Sequence, residues 1–241
     1  MEDVVSPPAP GVGKVAERMH GSTIGQKALM ALTGTLLVGF VFAHMAGHLQ
    51  MFQGPEAYNR YAHMLQSLGG IKWAVRLGLL ALAVIHVVSA VQVTRRNRAA
   101  RPIAYAANKW LAAGLGSRTM RLSGVVLFFF ILWHLMHFTV LSAATNGFLG
   151  APYLLDGAPV PDVYGRMVHA FQRPGITGIY LGCMVLLCLH LAHGIQSALQ
   201  SLGALNSTYR PLVKQLGPLA SGLLFVGFAT VPLAILAGFI K

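Results

Sequence analysis

The stretch KALMALTGTLLVGFVFAHMAGHLQMF, residues 27–52, decides the fold. Beyond Lys27 its only ionisable side chains are His44 and His48. At about 1.5 Å per helical residue it is long enough to cross roughly 30 Å of hydrocarbon. Only a helix satisfies its own backbone in such surroundings, so the run reads as a membrane-spanning helix. Further runs of the same kind lie near 73–94, 122–145, 175–200 and 216–240. The expected fold is therefore an all-α integral membrane protein of five spans.

Composition agrees. Of 241 residues, 55% are hydrophobic and 10% charged, and the mean hydropathy is +0.62, so lipid is part of the solvent this chain needs. The net charge of +12 is not a nucleic-acid footprint, because the basic residues lie in the gaps between apolar runs. Between the second and third runs stand Arg95, Arg96, Arg98, Arg101, Lys109, Arg118 and Arg121 with no acid, which places that loop in the cytoplasm by the positive-inside bias. The N-terminus and the 201–215 connection, with Arg210 and Lys214, fall on the same side. The 53–72 and 146–174 loops, holding Glu56, Asp156 and Asp162, face outward. The expected location is the cell membrane, multi-pass.

Residues 1–24 read as a cytoplasmic segment and 25–241 as one transmembrane domain. The start, with Glu2, Asp3, Pro7, Pro8 and Pro10, lacks the apolar core of a secretory signal, so the first span is expected in the mature protein. No second domain and no internal repeat is read. Cys183 and Cys188 stand five apart in one run, which precludes a disulfide between them in a regular helix. The absence of Cys-x-x-Cys-His excludes the usual covalent attachment of a c-type haem. Gly34, Gly39, Gly124, Gly182 and Gly194 can admit close helix contacts or a flat ligand.

Ionisable groups at membrane depth are functional candidates by default. Here they are His44 and His48, His86, His134 and His137, and His190 and His193, spread over four spans, with none in the fifth. Because alternate spans run in opposite directions, depth converts to pairing. Measured from the cytoplasmic flank, His44 lies roughly 25 Å above Lys27 and His134 roughly 20 Å above Arg121. His86 is about 13 Å from Arg95 and His190 about 15 Å from Gln200. Two levels emerge, very roughly 10 Å apart. A four-helix bundle can hold one iron between His44 and His134 and another between His86 and His190. Two axial imidazoles per b-type haem leave no open coordination position, which suits electron transfer. Spacing alone does not settle the choice between each histidine and its neighbour His48, His137 or His193, one turn away. His20, His63 and His169 fall outside the spans and are expected to meet water.

Several fragments together resemble a known family. The first run reads Thr33-Gly34, Phe42-Ala43-His44-Met45, then Phe52 and Glu56-Ala57-Tyr58-Asn59. The second ends Ile85-His86-Val87-Val88, the third reads Arg121-Leu122-Ser123-Gly124 and Leu132-Trp133-His134, and the fourth Leu189-His190-Leu191-Ala192-His193-Gly194. In order and spacing, over nearly the whole chain, this resembles the single-polypeptide, five-helix, di-haem cytochrome b subunit of succinate dehydrogenases and fumarate reductases.

The resemblance implies a membrane anchor for a flavoprotein subunit and an iron-sulfur subunit, passing electrons through two b haems to quinone, commonly menaquinone in this class. It implies His44 and His134 as ligands of the outer haem and His86 and His190 of the inner one. Relatives that carry a glutamate two residues before the fourth ligand use it in a proton path; here that position is Cys188. Near the outer end, Glu56, His63 and Gln66 are the quinone-site candidates. Arg121 and Trp110 are candidate contacts of haem propionates, since arginine offers two donors at once. The basic loop also suits anionic lipid, and Tyr105 and Trp110 suit the membrane interface.

Two competing classes make different demands. Another respiratory cytochrome b anchor would distribute its ligands differently. A proton-coupled transporter calls for acids or broken helices at mid-membrane, but no Asp or Glu lies inside any span and Pro232 is the one central breaker.

Overall fold

The computed structural model describes residues 21–100, 114–140, 147–148, 150–204 and 208–241. Trp110, Tyr105, His20 and most of the 1–24 segment lie outside the described residues. Helix α1, Thr23–Leu49, starts where Ser22 accepts the Gly25 N–H at 2.9 Å. It runs into a 3₁₀ turn, Gln50–Gln53, that stops at Gly54 with φ +94°, a conformation only glycine adopts without strain. Pro55 opens α2, Pro55–Ser67, as proline does at a first helical position. Then follow α3, Gly70–Ala99, and α4, Leu115–His134, which continues as a π-helical turn over Leu135–Thr139. An Asp156-Gly157 turn joins β1, Tyr153–Leu155, to β2, Ala158–Val160, with Leu154 opposite Pro159. Both turn residues have positive φ, 53° and 80°, as a two-residue hairpin turn needs. The chain ends with α5, Val163–Phe171, α6, Pro174–Ser201, and α7, Arg210–Leu236.

Five helical stretches are long and apolar enough to cross a membrane: Thr23–Gln53, Gly70–Ala99, Leu115–Thr139, Pro174–Ser201 and Arg210–Leu236. The chain is thus an all-α integral membrane protein of five spans. The ends differ from the sequence reading in a consistent way. Helices α3, α4 and α7 begin three to seven residues earlier than the apolar runs, because polar and basic turns such as Arg118–Arg121 extend a helix beyond the hydrocarbon. The described part of the third span ends with the π-helical turn at Thr139, and residues 141–145 of the expected run lie outside the described residues.

Helix α1 packs along α3, α4 along α6, and α6 along α7, while α1 crosses α6 and α7. The α6–α7 seam is close because Gly217 faces the Ala192 carbonyl, where even a Cβ has no room. Beside it the Cys188 thiol donates to the Ser221 carbonyl at 3.0 Å. Helix α7 stays continuous through Pro218 and Pro232, as spanning helices do when neighbours hold the freed backbone. Large apolar side chains such as Leu36, Phe40, Leu77, Phe129 and Val226 are exposed around the outside, which in a spanning bundle is the lipid face.

The two ends of the bundle are unlike. Lys27, Arg95, Arg96, Arg98, Arg118, Arg121, Arg210 and Lys214 gather at one, the basic end. The other is capped by the 3₁₀ turn, α2, the hairpin and α5, whose Met51, Tyr58, Tyr164, Met167 and Phe171 pack on Tyr180, Val231 and Ile235 of the spans. The sequence reading treated these segments as loops. The cap is tied by Asn59, fully buried, whose Oδ1 accepts from the Val163 and Tyr164 N–H groups at 2.8 and 3.0 Å and whose Nδ2 donates to Asp162 at 3.0 Å. Arg60 clamps the hairpin from outside, donating to Asp156 at 2.7 and 2.9 Å and to Glu56 at 3.0 Å. That clamp holds the Asp156 carboxyl below its ordinary range. Burial raises the Tyr58 and Tyr164 phenols.

Candidate functional site

The histidines meet at two heights. Toward the capped end, His44 of α1 and His134 of α4 face each other with ring centroids 5.9 Å apart and planes at 86°. An imidazole nitrogen binds a first-row metal at about 2 Å, by the zinc value, so two rings on opposite sides of one ion have centroids about 6 Å apart. Toward the basic end, His86 of α3 lies against Thr33 and Gly34 of α1, and His190 of α6 against Ser123 and Gly124 of α4. Among the described residues α3 packs on α1 and α2, and α6 on α4, α1, α7 and α5.

The heights can be read from the partners. His86 lies against Met30, Thr33 and Gly34 of α1, about ten to fourteen residues before His44, and His190 lies against Ser123 and Gly124 of α4, ten or eleven residues before His134. At the helical rise this separates the levels by about 15 Å or more, wider than the 10 Å expected from flanking charges. Those charges sit at unequal heights beyond the membrane and are poor zero points.

Each imidazole is held in a particular way. The Nδ1 of His86 is 3.1 Å from the Met30 carbonyl and 3.4 Å from Thr33 Oγ1. The Nδ1 of His190 is 3.2 Å from Ser123 Oγ, and that of His134 is 3.1 Å from the Tyr180 hydroxyl. In all three Nδ1 is engaged by protein, which leaves Nε2 as the nitrogen for a metal, the arrangement metal-ligating histidines use. His44 differs: its Nε2 is 3.2 Å from Nε2 of His48, whose Nδ1 pairs with Tyr58 at 2.8 Å. Phe40 stacks on His44 at 5.4 Å, and Phe130 lies 5.9 Å from His134.

Glycine supplies the matching shape. A Cβ at Gly34 would stand 3.0 Å from His86 Cε1, and one at Gly124 3.5 Å from His190 Cε1. Among the described residues no group of three or more His, Cys, Asp or Glu converges as a metal site. A donor set of two imidazoles per iron is what b-type haem takes, and these residues fit it.

The neighbouring histidines are distinguished as well. His137 is fully buried, stacked on Trp133 at 4.9 Å, and shares the Tyr180 hydroxyl with His134 at 3.0 Å. His48 sits between His44 and Tyr58, and His193 lies beside Gly116 at the basic end. Glu56, His63 and Gln66 are on the exposed side of α2: Glu56 pairs with Arg60, and Gln66 accepts from Lys72. Arg121 is exposed on α4. His169, expected to meet water, accepts from the Arg173 guanidinium at 2.9 Å. Tyr180 was missed in the sequence, although it precedes His190 by ten residues on the same helix.

Five spans, with histidines matched in height on four of them, define a multi-pass membrane protein built like a cytochrome b anchor. The profile of the succinate dehydrogenase/fumarate reductase transmembrane subunit family matches residues 94–231. The chain belongs to that family. It is 23% identical over 218 residues to the succinate dehydrogenase cytochrome b558 subunit of Bacillus subtilis, covering 89% of this chain and 96% of that one. It is also 34% identical over 61 residues to the succinate dehydrogenase hydrophobic membrane anchor subunit of Halobacterium salinarum, covering 25% of this chain and 46% of the other. No solved structure gives a significant match.

Proposed function

We propose that this chain is the membrane-anchor cytochrome b of a succinate:quinone oxidoreductase, passing electrons from an iron-sulfur subunit through two bis-histidine b haems to a quinone, of the menaquinone type. The observation that carries the reading is the pairing in height, His44 with His134 on two spans that run from the basic end to the cap, and His86 with His190 on two that run back. A b haem with two axial imidazoles supplies one-electron transfer with no coordination position left for substrate.

The protein's own residues divide the remaining work. His134, His86 and His190 present Nε2 while Tyr180, Met30 with Thr33, and Ser123 hold their Nδ1 atoms. His44 would hold the outer haem through the Nε2 that His48 contacts in this structure. The basic end faces the cytoplasm in this reading and receives the flavoprotein and iron-sulfur subunits, and Arg121, with Trp110, serves the propionates of the inner haem. The capped end faces outward in the cell membrane. There Glu56, His63 and Gln66 border the quinone side, while His48, Tyr58, His137 and Tyr180 are the polar groups nearest the His44–His134 level.

The test is a reduced-minus-oxidised spectrum with haem counted per chain. Two low-spin b haems are expected, one lost in His44→Ala or His134→Ala and the other in His86→Ala or His190→Ala. One haem per chain, or loss of the same haem from both sets, rejects the pairing. Unchanged quinone turnover in the double variant Glu56→Ala, His63→Ala rejects those two residues as quinone-side groups.

A further inference from the structure

The inner level is built twice from the same parts. In α1, Thr33-Gly34 precede His44 by eleven and ten residues; in α4, Ser123-Gly124 precede His134 by the same eleven and ten. Each hydroxyl–glycine pair faces the imidazole of its partner helix, Thr33-Gly34 facing His86 and Ser123-Gly124 facing His190. The short repeat, overlooked in the sequence reading, is thus a structural one as well: helix pair α1–α3 and helix pair α4–α6 carry equivalent contacts.

Proton counting shows what those hydroxyls do. A serine or threonine hydroxyl has one proton to donate and two lone pairs. Thr33 donates to the Leu29 carbonyl at 2.7 Å, and Ser123 to the Met120 carbonyl at 3.1 Å. With its proton committed to its own helix, each oxygen has only a lone pair to offer the imidazole. The Met30 carbonyl, 3.1 Å from His86 Nδ1, can likewise only accept. On that count both inner Nδ1 atoms carry the hydrogen and both Nε2 atoms are left with a lone pair.

We propose that Thr33 and Ser123 are matched positioning residues that lock His86 and His190 in the Nδ1–H tautomer, so that the inner level is ready to bind metal before the cofactor arrives. The outer level has no such lock. Tyr180 lies 3.1 Å from His134 Nδ1 and 3.0 Å from His137 Nδ1 and has one proton for the two. It donates to one ring and accepts from the other, and either direction is open until a ligand selects one. The same contacts also orient the rings in the inner pair, since each Cε1 edge abuts a glycine.

The inference rests on the proposed haem function for its consequence but not for its test. Histidine labelled with ¹⁵N in the full chain in lipid, without haem, reports tautomers directly. In wild type His86 and His190 are expected protonated at Nδ1. Ser123→Ala is expected to give a mixture at His190 and Ser123→Thr to restore the single form. Thr33→Val is expected to give a mixture at His86 in the same way, since each ring also has a methionine carbonyl beside it, Met30 for His86 and Met120 for His190. In the haem-loaded chain, Ser123→Ala weakens the acceptor opposite Nδ1, so the inner haem's midpoint potential rises and its retention falls on the order of tenfold. The outer haem stays put. Nε2–H at His86 or His190 in wild type, or an unchanged His190 tautomer and inner potential in Ser123→Ala, overturns the proposal. Failure of the wild-type chain to bind haem overturns the function reading instead, while the tautomer measurement still decides this one.

Discussion

Gly34 and Gly124 occupy equivalent positions but leave different clearances, so the same substitution is expected to give different results. An alanine Cβ at position 34 would stand 3.0 Å from His86 Cε1, where carbon atoms prefer about 3.5–4.0 Å. The ring must retreat by about 0.5 Å, which lengthens its 3.1 Å contact with the Met30 carbonyl to about 3.6 Å, beyond hydrogen-bonding range. A net loss of about 0.5–1.5 kcal/mol follows, equivalent to roughly two- to tenfold weaker haem binding at the inner level. At position 124 the Cβ meets His190 Cε1 at 3.5 Å, an ordinary contact, and replacing a helical glycine stabilises by roughly 0.5–1 kcal/mol. Haem titration of each purified variant, followed by reduced-minus-oxidised spectra, separates the two: Gly34→Ala weakens one haem and Gly124→Ala weakens neither. If Gly124→Ala proves as damaging as Gly34→Ala, the clearances do not govern the inner level and the reasoning fails.

Asn59→Ala removes the side chain that caps α5 and is expected to cost about 1–3 kcal/mol, read as a lower melting temperature in detergent and faster proteolysis on either side of 163–171. A variant as resistant as wild type refutes the role given to Asn59. Gly217→Ala places a Cβ against the Ala192 backbone, which cannot yield as a side chain would, so the α6–α7 seam opens at a cost of about 1–3 kcal/mol. Gly222→Ala, which points into open space on the same helix, serves as the neutral control for melting and membrane yield. The Arg60–Asp156 clamp has a defined pH response. Arg60 depresses the Asp156 carboxyl below its ordinary value of 3.8, so its contribution is complete above that value and disappears as pH falls through the lower folded one. Hydrogen exchange across 153–160 is expected to be flat from about pH 9 to about pH 5, after correction for intrinsic rates, and to rise only below about pH 4. A rise between pH 5 and 7 counts against the clamp.

The spans were legible because hydrocarbon imposes one rule on every residue inside it, and uninterrupted runs such as 73–94 obey it visibly. The helix ends were not: Arg118 and Arg121 lie in α4 although their polarity argues against a span, because a helix extends past the lipid wherever its backbone bonds continue. Histidine pairing was read from depth and direction alone, and the structure places the His44 and His134 rings 5.9 Å apart. What escaped was the surroundings. Thr33 and Ser123 looked like ordinary small polar residues, although their shared spacing to His44 and His134 was in the sequence to be found. Tyr180 and Asn59 act across gaps of 46 and 104 residues, and nothing local marks a contact of that range. The cap was overlooked because α2 and α5 are short and amphipathic, and the Asp156-Gly157 turn was its one clear signal.

The plug at one end of the bundle has a bearing on traffic. With Met51, Tyr58, Tyr164 and Phe171 packed over the end of the spans, a water-borne molecule meets a closed floor above the His44–His134 level. Among the described residues the flank is different: α4 packs along α6 but makes no extended contact with α1 or α3. Among the described residues, a molecule bound for that level meets less protein from the lipid side than from the water.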